Sequence, residues 1–180
     1  MNIWHDMSPE NVTTKSFYAV IEITKGSKIK YELDKKSGLL RLDRILYTST
    51  HYPANYGFIP LTFEDDDDPL DVLVICSEQI APMTIVECYP IGVIKMMDGG
   101  KMDEKIIAIP YTDPYYNVYS SIYDLPTHVF EEMRHFFKVY KELENKNTAV
   151  EELGGRREAE SVIEYCIKNY KENKERLMAK

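Results

Sequence analysis

Residues 64–71 of the chain, EDDDDPLD, place six carboxylates within eight positions and lead directly into the apolar residues 72–75. So many like charges at this spacing are unfavourable unless water or cations lie among them. Carboxylate oxygens are the ligands that Mg²⁺ and similar hard cations prefer. The segment is therefore either a solvated acidic loop or a metal site, and its residue types alone leave both interpretations open.

The position of Asp71 favours the metal site. If residues 70–75 form a strand, Asp71 begins a strand that is otherwise apolar on both faces. A carboxylate there is costly to bury without a partner, and a cation can serve as that partner. Pro69 lacks an amide hydrogen and restrains the chain just before the strand. We therefore expect the preceding aspartates to fold back beside Asp71.

Two other acidic motifs fit this segment less well. An EF-hand loop is excluded because the required glycine is missing, a proline lies inside the segment, and a strand rather than a helix follows. A sugar-nucleotide transferase that holds Mn²⁺ with an Asp-x-Asp pair stays open in principle. However, a chain of 180 residues is short for such an enzyme, and no nucleotide-binding βαβ pattern is present.

The overall charge limits the partners of the chain. A formal net charge of −8 argues against a general binder of nucleic acid or anionic membranes, since such proteins need a basic surface. An anionic small molecule stays compatible if cations are recruited. The 3 cysteines are widely spaced and predict buried thiols in a reducing cytoplasm rather than disulfides. No signal peptide or membrane-spanning apolar segment is expected.

The elements that must position these residues are mostly strands. Short apolar or alternating segments separated by turn residues predict strands at residues 17–24, 29–34, 39–42, 70–75, 84–97 and 105–109. A spacing of three and four between apolar residues predicts helices over about residues 126–143 and 157–178. We expect one α+β domain over residues 1–180, predominantly β. Its core would be a small closed antiparallel β-barrel, OB-like, with two C-terminal helices packed against it.

Several segments resemble those of the soluble family I inorganic pyrophosphatases. Residues 66–72, DDDPLDV, resemble the signature of that family: Asp, a small or polar residue, Asp, Pro, an aliphatic residue, Asp and an aliphatic residue. Further resembling segments follow in the family's order: VIEI at 20–23, IKYE at 29–32, DR at 43–44, YPANYG at 52–57, GVIKMMD at 92–98, DEK at 103–105 and HFFKVYK at 135–141. Together they cover nearly the whole chain, and in its short length the chain resembles the compact prokaryotic branch.

The resemblance implies a role for each matching residue. Asp66, Asp71 and Asp103 would bind the tightest Mg²⁺, Asp98 and Asp103 a metal that arrives with substrate, and Glu22 an outer metal. The phosphate contacts would be Lys30, Arg44, Tyr56, Tyr140 and Lys141. Asp68 would be the general base. Glu32, Tyr52 and Lys105 match positions near the site, and Mn²⁺ or Zn²⁺ are alternative metals.

The resemblance also selects among the consecutive aspartates. Two Asp-x-Asp pairs exist in the run, Asp65 with Asp67 and Asp66 with Asp68. In the family pattern a third carboxylate lies three residues beyond the second, after a proline, which selects Asp66, Asp68 and Asp71. Glu64, Asp65 and Asp67 are then predicted to be replaceable neighbours.

The implied reaction is Mg²⁺-dependent hydrolysis of inorganic diphosphate to two orthophosphates by in-line attack of a metal-activated water. The predicted site holds seven carboxylates (Glu22, Glu32, Asp66, Asp68, Asp71, Asp98, Asp103) and four cations (Lys30, Arg44, Lys105, Lys141). A site with this excess of negative charge needs metal ions before a polyanion can bind. A nucleotide pyrophosphohydrolase and a single-stranded nucleic-acid binding module are the alternative classes.

The expected assembly follows from the resemblance alone, which implies a homo-oligomer, a hexamer as in compact members of the family. The expected cytoplasmic location rests on the widely spaced cysteines. The tyrosine-rich residues 111–123 are expected to form a partly exposed loop or a subunit contact. Residues 145–156, treated as a loop, lack a tryptophan that many bacterial relatives carry in this region.

Overall fold

The computed structural model describes residues 2–178. Its strands are β1 (Phe17–Ile23), β2 (Ile29–Leu33), β3 (Leu40–Ile45), β4 (Asn55–Phe58), β5 (Asp71–Val74), β6 (Ile85–Asp98), β7 (Lys101–Pro110) and β8 (Thr148–Gly155). The helices are α1 (Thr127–Val139) and α2 (Arg156–Met178). Short 3-10 turns cover Pro9–Asn11, Ile122–Asp124 and Glu142–Glu144. The predicted sheet-rich α+β fold with two C-terminal helices is confirmed.

Six strands form one sheet in the order β1-β4-β5-β7-β6-β8, and β1 also pairs with β6. Following the pairings from β1 through β4, β5, β7 and β6 therefore leads back to β1. Strands β2 and β3 form a separate hairpin. The expectation of purely antiparallel pairing is wrong, because β5 and β7 pair in parallel. Strand β6 lies between them in sequence and reverses the chain direction, so that β7 returns in the direction of β5.

The apolar residues of β5 divide between two core clusters, as the alternation of side chains in a strand requires. Val72 and Val74 pack in the cluster that contains α2 residues such as Ile163. Leu73 packs in the cluster that contains Phe137 of α1. The strand is therefore covered on both faces, with its first residue, Asp71, at the border of the core.

Two strands were not predicted. Strand β4 has only four residues and contains Gly57, so its pattern is too short to recognise. Strand β8 occupies residues that were expected to be a loop, and it pairs with β6 along Gly92–Asp98. Its charged residues and terminal glycines are not typical of a strand, so the segment was not recognised as one. An edge strand needs only one apolar face, so it can contain such residues.

Helix α1 ends at Val139, earlier than its apolar pattern suggested. Tyr140 caps it, and the 3-10 turn Glu142–Glu144 follows. Asn145 then adopts a left-handed conformation with φ 58°, which asparagine tolerates better than most residues. This turn sends the chain back into β8.

The tyrosine-rich segment lies on the surface without strand or α-helix, as one of its two interpretations expected. Tyr115 is 75% exposed, whereas Tyr119 accepts a hydrogen bond from Tyr89 Oη at 2.6 Å through its backbone oxygen. Cys88 and Cys166 are buried and all three cysteines are unpaired. Within residues 2–178, neither helix has the length and apolarity that a membrane crossing would need.

Candidate active site

A cavity of about 620 Å³ opens between the β2–β3 hairpin, the acidic loop of residues 64–68 and the C-terminal end of α1. Ten of the eleven predicted site residues line it: Glu22, Lys30, Tyr56, Asp66, Asp68, Asp71, Asp98, Asp103, Tyr140 and Lys141. They come from strands, a loop and a helix that are far apart in sequence. The fold therefore brings together residues that were proposed only from local segments.

Lys105 occupies the floor of the cavity and is 2% exposed. Its Nζ lies 2.7 Å from Asp71 Oδ2, 2.9 Å from Asp103 Oδ1 and 3.0 Å from Tyr56 Oη. Burial alone lowers the pKa of Lys105, but the charges of Asp103 and Asp71 raise it well above its ordinary value. The lysine is thus a buried partner for two of the predicted metal ligands, and their charges favour its ammonium form.

The parallel pairing of β5 and β7 creates this arrangement. Asp71 stands opposite Lys105 in the ladder, and Asp103 lies two residues earlier on the same face of β7. Tyr56, on the neighbouring strand β4, donates its hydroxyl hydrogen to Asp71. Backbone pairing therefore positions these four side chains.

A cluster of carboxylates lies beside this group. One oxygen each from Glu64, Asp66 and Asp103 lies within 4.8 Å of the others. Burial, followed by the charge of Asp71, raises the pKa of Asp66 to about 6. Burial also raises the pKa of Asp103 despite the nearby lysine. Crowded, partly desolvated carboxylate oxygens suit a hard divalent cation, so the donor set fits Mg²⁺.

Glu64 is the member of this cluster that the sequence did not single out. It was grouped with Asp65 and Asp67 as a replaceable neighbour, but it is only 5% exposed, whereas those two aspartates are exposed. Burial raises the pKa of Glu64 to about 10, and the charge of Asp71 adds to the shift. The residue types of the acidic run give no signal that separates Glu64 from Asp65 and Asp67, so its burial became visible only in the structure.

The acidic loop holds Asp68 at the mouth of the cavity. Glu64 N donates to Asp68 O at 2.8 Å, and Asp68 N donates to Asp66 Oδ1 at 3.1 Å. Asp67, between them, has φ 73°, is exposed and is not among the residues that line the cavity. Asp68 also forms an ion pair with Lys35 from the β2–β3 turn. Lys35 was not among the predicted site residues.

The predicted phosphate-binding cations are paired with carboxylates. Lys141 forms an ion pair with Asp98, and Lys30 forms one with Glu32. Arg44 is the predicted residue that does not line the cavity. Glu144 holds it there, because Arg44 Nε lies 3.0 Å from that carboxylate.

The comparisons with known proteins agree with this geometry. A family model described as inorganic pyrophosphatase matches residues 19–171. The chain belongs to the inorganic pyrophosphatase family. This confirms the predicted resemblance and the predicted enzyme class, that of inorganic diphosphatases, which are hydrolases.

Relatives in the family are similar over most of their length. Soluble inorganic pyrophosphatase 2 of Chlamydomonas reinhardtii is 45% identical over 170 residues, which cover 94% of this chain and 88% of the relative. Soluble inorganic pyrophosphatase 1 of Arabidopsis thaliana is 47% identical over 169 residues, covering 94% and 80%. The Helicobacter pylori inorganic pyrophosphatase structure superposes with a TM-score of 0.88 at 41% identity, covering 92% of this chain and 99% of that one.

The aromatic residues of the family segments form one wall of the cavity. Tyr52 lies 4.7 Å from Phe136 and 5.3 Å from Tyr56 between ring centroids. Tyr140 is 5% exposed and packs on Phe136 and Phe137. Tyr140 thus belongs to the apolar stripe of its helix and also borders the cavity.

Glu22 lies on β1, at another edge of the cavity. Its carboxylate accepts the backbone N–H of Leu33 at 2.7 Å. Burial raises the pKa of Glu22 to about 8, and the hydrogen bond from Leu33 only partly opposes this. In the absence of a cation, Glu22 is therefore largely protonated at neutral pH.

Proposed function

We propose that the chain hydrolyses inorganic diphosphate to two orthophosphates in a Mg²⁺-dependent reaction. The observation that carries the proposal is a single cavity that holds both a crowded carboxylate cluster and several lysines. A cavity with carboxylates alone would repel an anionic substrate. A cavity with lysines alone could bind such a substrate without a metal ion. The combination suits a polyanion that binds together with divalent cations.

The residues proposed to hold metal are Asp66, Asp71 and Asp103, with Asp98 and Glu22 for additional ions. The raised pKa values of Glu22 and Asp66 support this, because a nearby cation relieves the repulsion and the desolvation that cause them. Bound Mg²⁺ would offset the excess negative charge and acidify a bound water. Mn²⁺ and Zn²⁺ are proposed as substitutes, since they accept the same oxygen ligands.

Asp68 is proposed as the general base. It lies at the mouth of the cavity, is not held by Lys105, and has one oxygen that is free of Lys35. It takes a proton from the attacking water while a new phosphorus–oxygen bond forms and the bridging bond breaks. The leaving phosphate takes the displaced electron pair, so no phosphoenzyme is needed.

Five residues are proposed to bind the phosphoryl oxygens: Lys30, Tyr56, Tyr140 and Lys141, which line the cavity, and Arg44, which lies outside its lining. The lysines act as point charges, and the guanidinium of Arg44 suits bidentate contact. Buried Nη2 of Arg44 has no hydrogen-bond partner within residues 2–178, so it keeps a donor for a ligand. For that contact, Arg44 must turn from Glu144 toward the cavity.

We also propose the finer features of architecture and assembly. The return of the strand pairings to β1 supports a closed OB-like barrel of five strands in one domain. A homo-oligomer, specifically a hexamer, is proposed from family resemblance, and a cytoplasmic location is proposed from the unpaired cysteines. Light scattering on purified protein tests the assembly.

Phosphate release tests the proposed function. Purified protein given inorganic diphosphate and Mg²⁺ should release orthophosphate, and excess chelator should abolish the activity. Nucleoside triphosphates, tested under the same conditions, separate a diphosphatase from a nucleotide pyrophosphohydrolase. Full activity in chelator, or faster hydrolysis of the nucleotide, would contradict the proposal.

A further inference from the structure

Lys35 reaches from the turn between β2 and β3 to the acidic loop on the other side of the cavity. Its ammonium forms an ion pair with Asp68 and lies 3.2 Å from the backbone oxygen of Asp67. The Lys35 and Asp68 side chains are 44% and 55% exposed. Exposed ion pairs contribute little to stability, so Lys35 can exchange Asp68 for another anion at little cost.

Trp4 packs against the side chain of Lys35 and holds its ammonium near the cavity. Lys35 Nζ lies 5.1 Å from the centroid of the Trp4 ring, within the range of cation–π attraction. Trp4 is 2% exposed, its Nε1 donates to Thr62 O at 2.9 Å, and its backbone oxygen accepts from Leu61 N at 3.0 Å. Asn2 Nδ2 donates to Lys35 O at 2.8 Å. The N-terminal segment therefore ties the β2–β3 turn to the start of the acidic loop.

We propose that Lys35 is a further substrate-contacting residue and that Trp4 is its positioning residue. When diphosphate enters, the ammonium leaves Asp68 and contacts a phosphoryl oxygen, while the Trp4 ring keeps the side chain near the cavity. A diphosphate carries several negative charges and competes effectively with one carboxylate for a lysine. This inference rests on the proposed function, since it assigns a contact within that reaction.

Neighbouring cations do not share this position. Arg41 borders the cavity, but it lies 3.9 Å from Glu32 and its side chain is 67% exposed. Lys36 also borders the cavity, yet within residues 2–178 it forms no ion pair with the acidic loop. Lys35 is thus the hairpin cation that contacts the proposed base, and Lys36 provides a matched control for the loss of one positive charge.

Kinetics give the first test. Lys35→Met keeps the length and apolar stem but removes the charge, and it should raise KM for magnesium diphosphate by about tenfold with kcat altered by less than about threefold. Lys35→Arg should restore most of the affinity, and Lys36→Met should change KM by less than about twofold. Equal effects of Lys35→Met and Lys36→Met would overturn the specific contact.

Fluorescence gives a second test that needs no turnover. The chain has 1 tryptophan, so its emission reports on Trp4 alone. Titration with imidodiphosphate at saturating Mg²⁺ should change the emission of the unmodified chain as the ammonium moves. The change should be absent in Lys35→Met, whose folding is checked by circular dichroism. An identical change in both proteins, or none in the unmodified chain, would overturn the proposal.

The two tests separate this inference from the proposed function. An unmodified chain that releases no orthophosphate from diphosphate contradicts the proposed function itself. An unmodified chain that hydrolyses diphosphate, with KM unchanged in Lys35→Met, overturns only the assignment of Lys35.

Discussion

Lys105 and Asp71 face each other across a parallel strand pair, with Lys105 Nζ 2.7 Å from Asp71 Oδ2. The same ammonium lies 2.9 Å from Asp103. A buried cation thus links two proposed metal ligands before any metal is bound. Removing it leaves two carboxylates close together with no positive charge beside them.

Lys105→Met should therefore destabilise the metal-free protein by about 3–5 kcal/mol, the cost of breaking a buried ion pair from one side. Urea unfolding in chelator measures the free energy. Lys95→Met is the control, because Lys95 lies 3.6 Å from Glu152 in a more exposed pair and should cost less than about 1 kcal/mol. Similar losses for the two variants would contradict the central role of Lys105.

The stability of the metal-free protein should fall as pH rises. The folded state binds the Glu22 proton more tightly, because burial raises its pKa from 4.5 to about 8. Unfolding between these pH values releases that proton, so higher pH favours the unfolded chain, by up to about 1.4 kcal/mol per pH unit. Glu22→Gln should remove this contribution between pH 5 and 8 in urea unfolding with chelator. If Glu22→Gln leaves the change of the free energy of unfolding with pH unaltered, the raised pKa of Glu22 is contradicted.

The two aspartates at the end of the acidic loop should differ sharply in their effect on activity. Asp68→Asn removes the proposed base and should lower kcat by about 10²–10⁴-fold. Asp67→Asn should retain most activity, because Asp67 is exposed and asparagine suits its φ of 73°. Phosphate release compares them under saturating Mg²⁺. A loss with Asp67→Asn as deep as that with Asp68→Asn would show that the wrong pair was selected.

Gly57 should not tolerate a side chain. A Cβ at this position would lie 1.8 Å from Val20 O, a backbone atom of the paired strand β1. Gly57→Ala should therefore separate β4 from β1 and destabilise the protein by more than about 3 kcal/mol. Gly99→Ala is the control, since, its two chain neighbours aside, no atom of residues 2–178 would lie within 4 Å of its Cβ and only its φ of 57° is unfavourable, costing about 1–2 kcal/mol. Thermal unfolding measures both.

The sequence was informative where one local pattern determines the structure. Asp71 could be placed because a strand that is apolar on both faces must begin beside it, and the structure has β5 at Asp71–Val74. Helix α2 was recognised from its repeated apolar residues, and it begins within one residue of the expected start. These elements depend on periodicity, which is visible without knowledge of the fold.

Features that depend on distant partners were not predicted. The ion pair between Lys35 and Asp68 joins residues 33 positions apart, and the contact of Trp4 with Thr62 spans 58. Glu64 is buried and accepts a hydrogen bond at 3.3 Å from Glu104 N of β7, 40 positions away. No pattern within the acidic run distinguishes Glu64 from its exposed neighbours in this respect.

The proposed metal ligands are carried by two kinds of backbone. Asp71 and Asp103 belong to paired strands, so their separation is set by ladder hydrogen bonds. Asp66 belongs to a loop that contains a left-handed residue, Asp67. Two of the proposed ligands are therefore held by strand pairing, whereas the third is carried by a loop that is not part of the sheet. Ions of different radius would be accommodated by movement of the loop alone, so metal exchange need not disturb the strands.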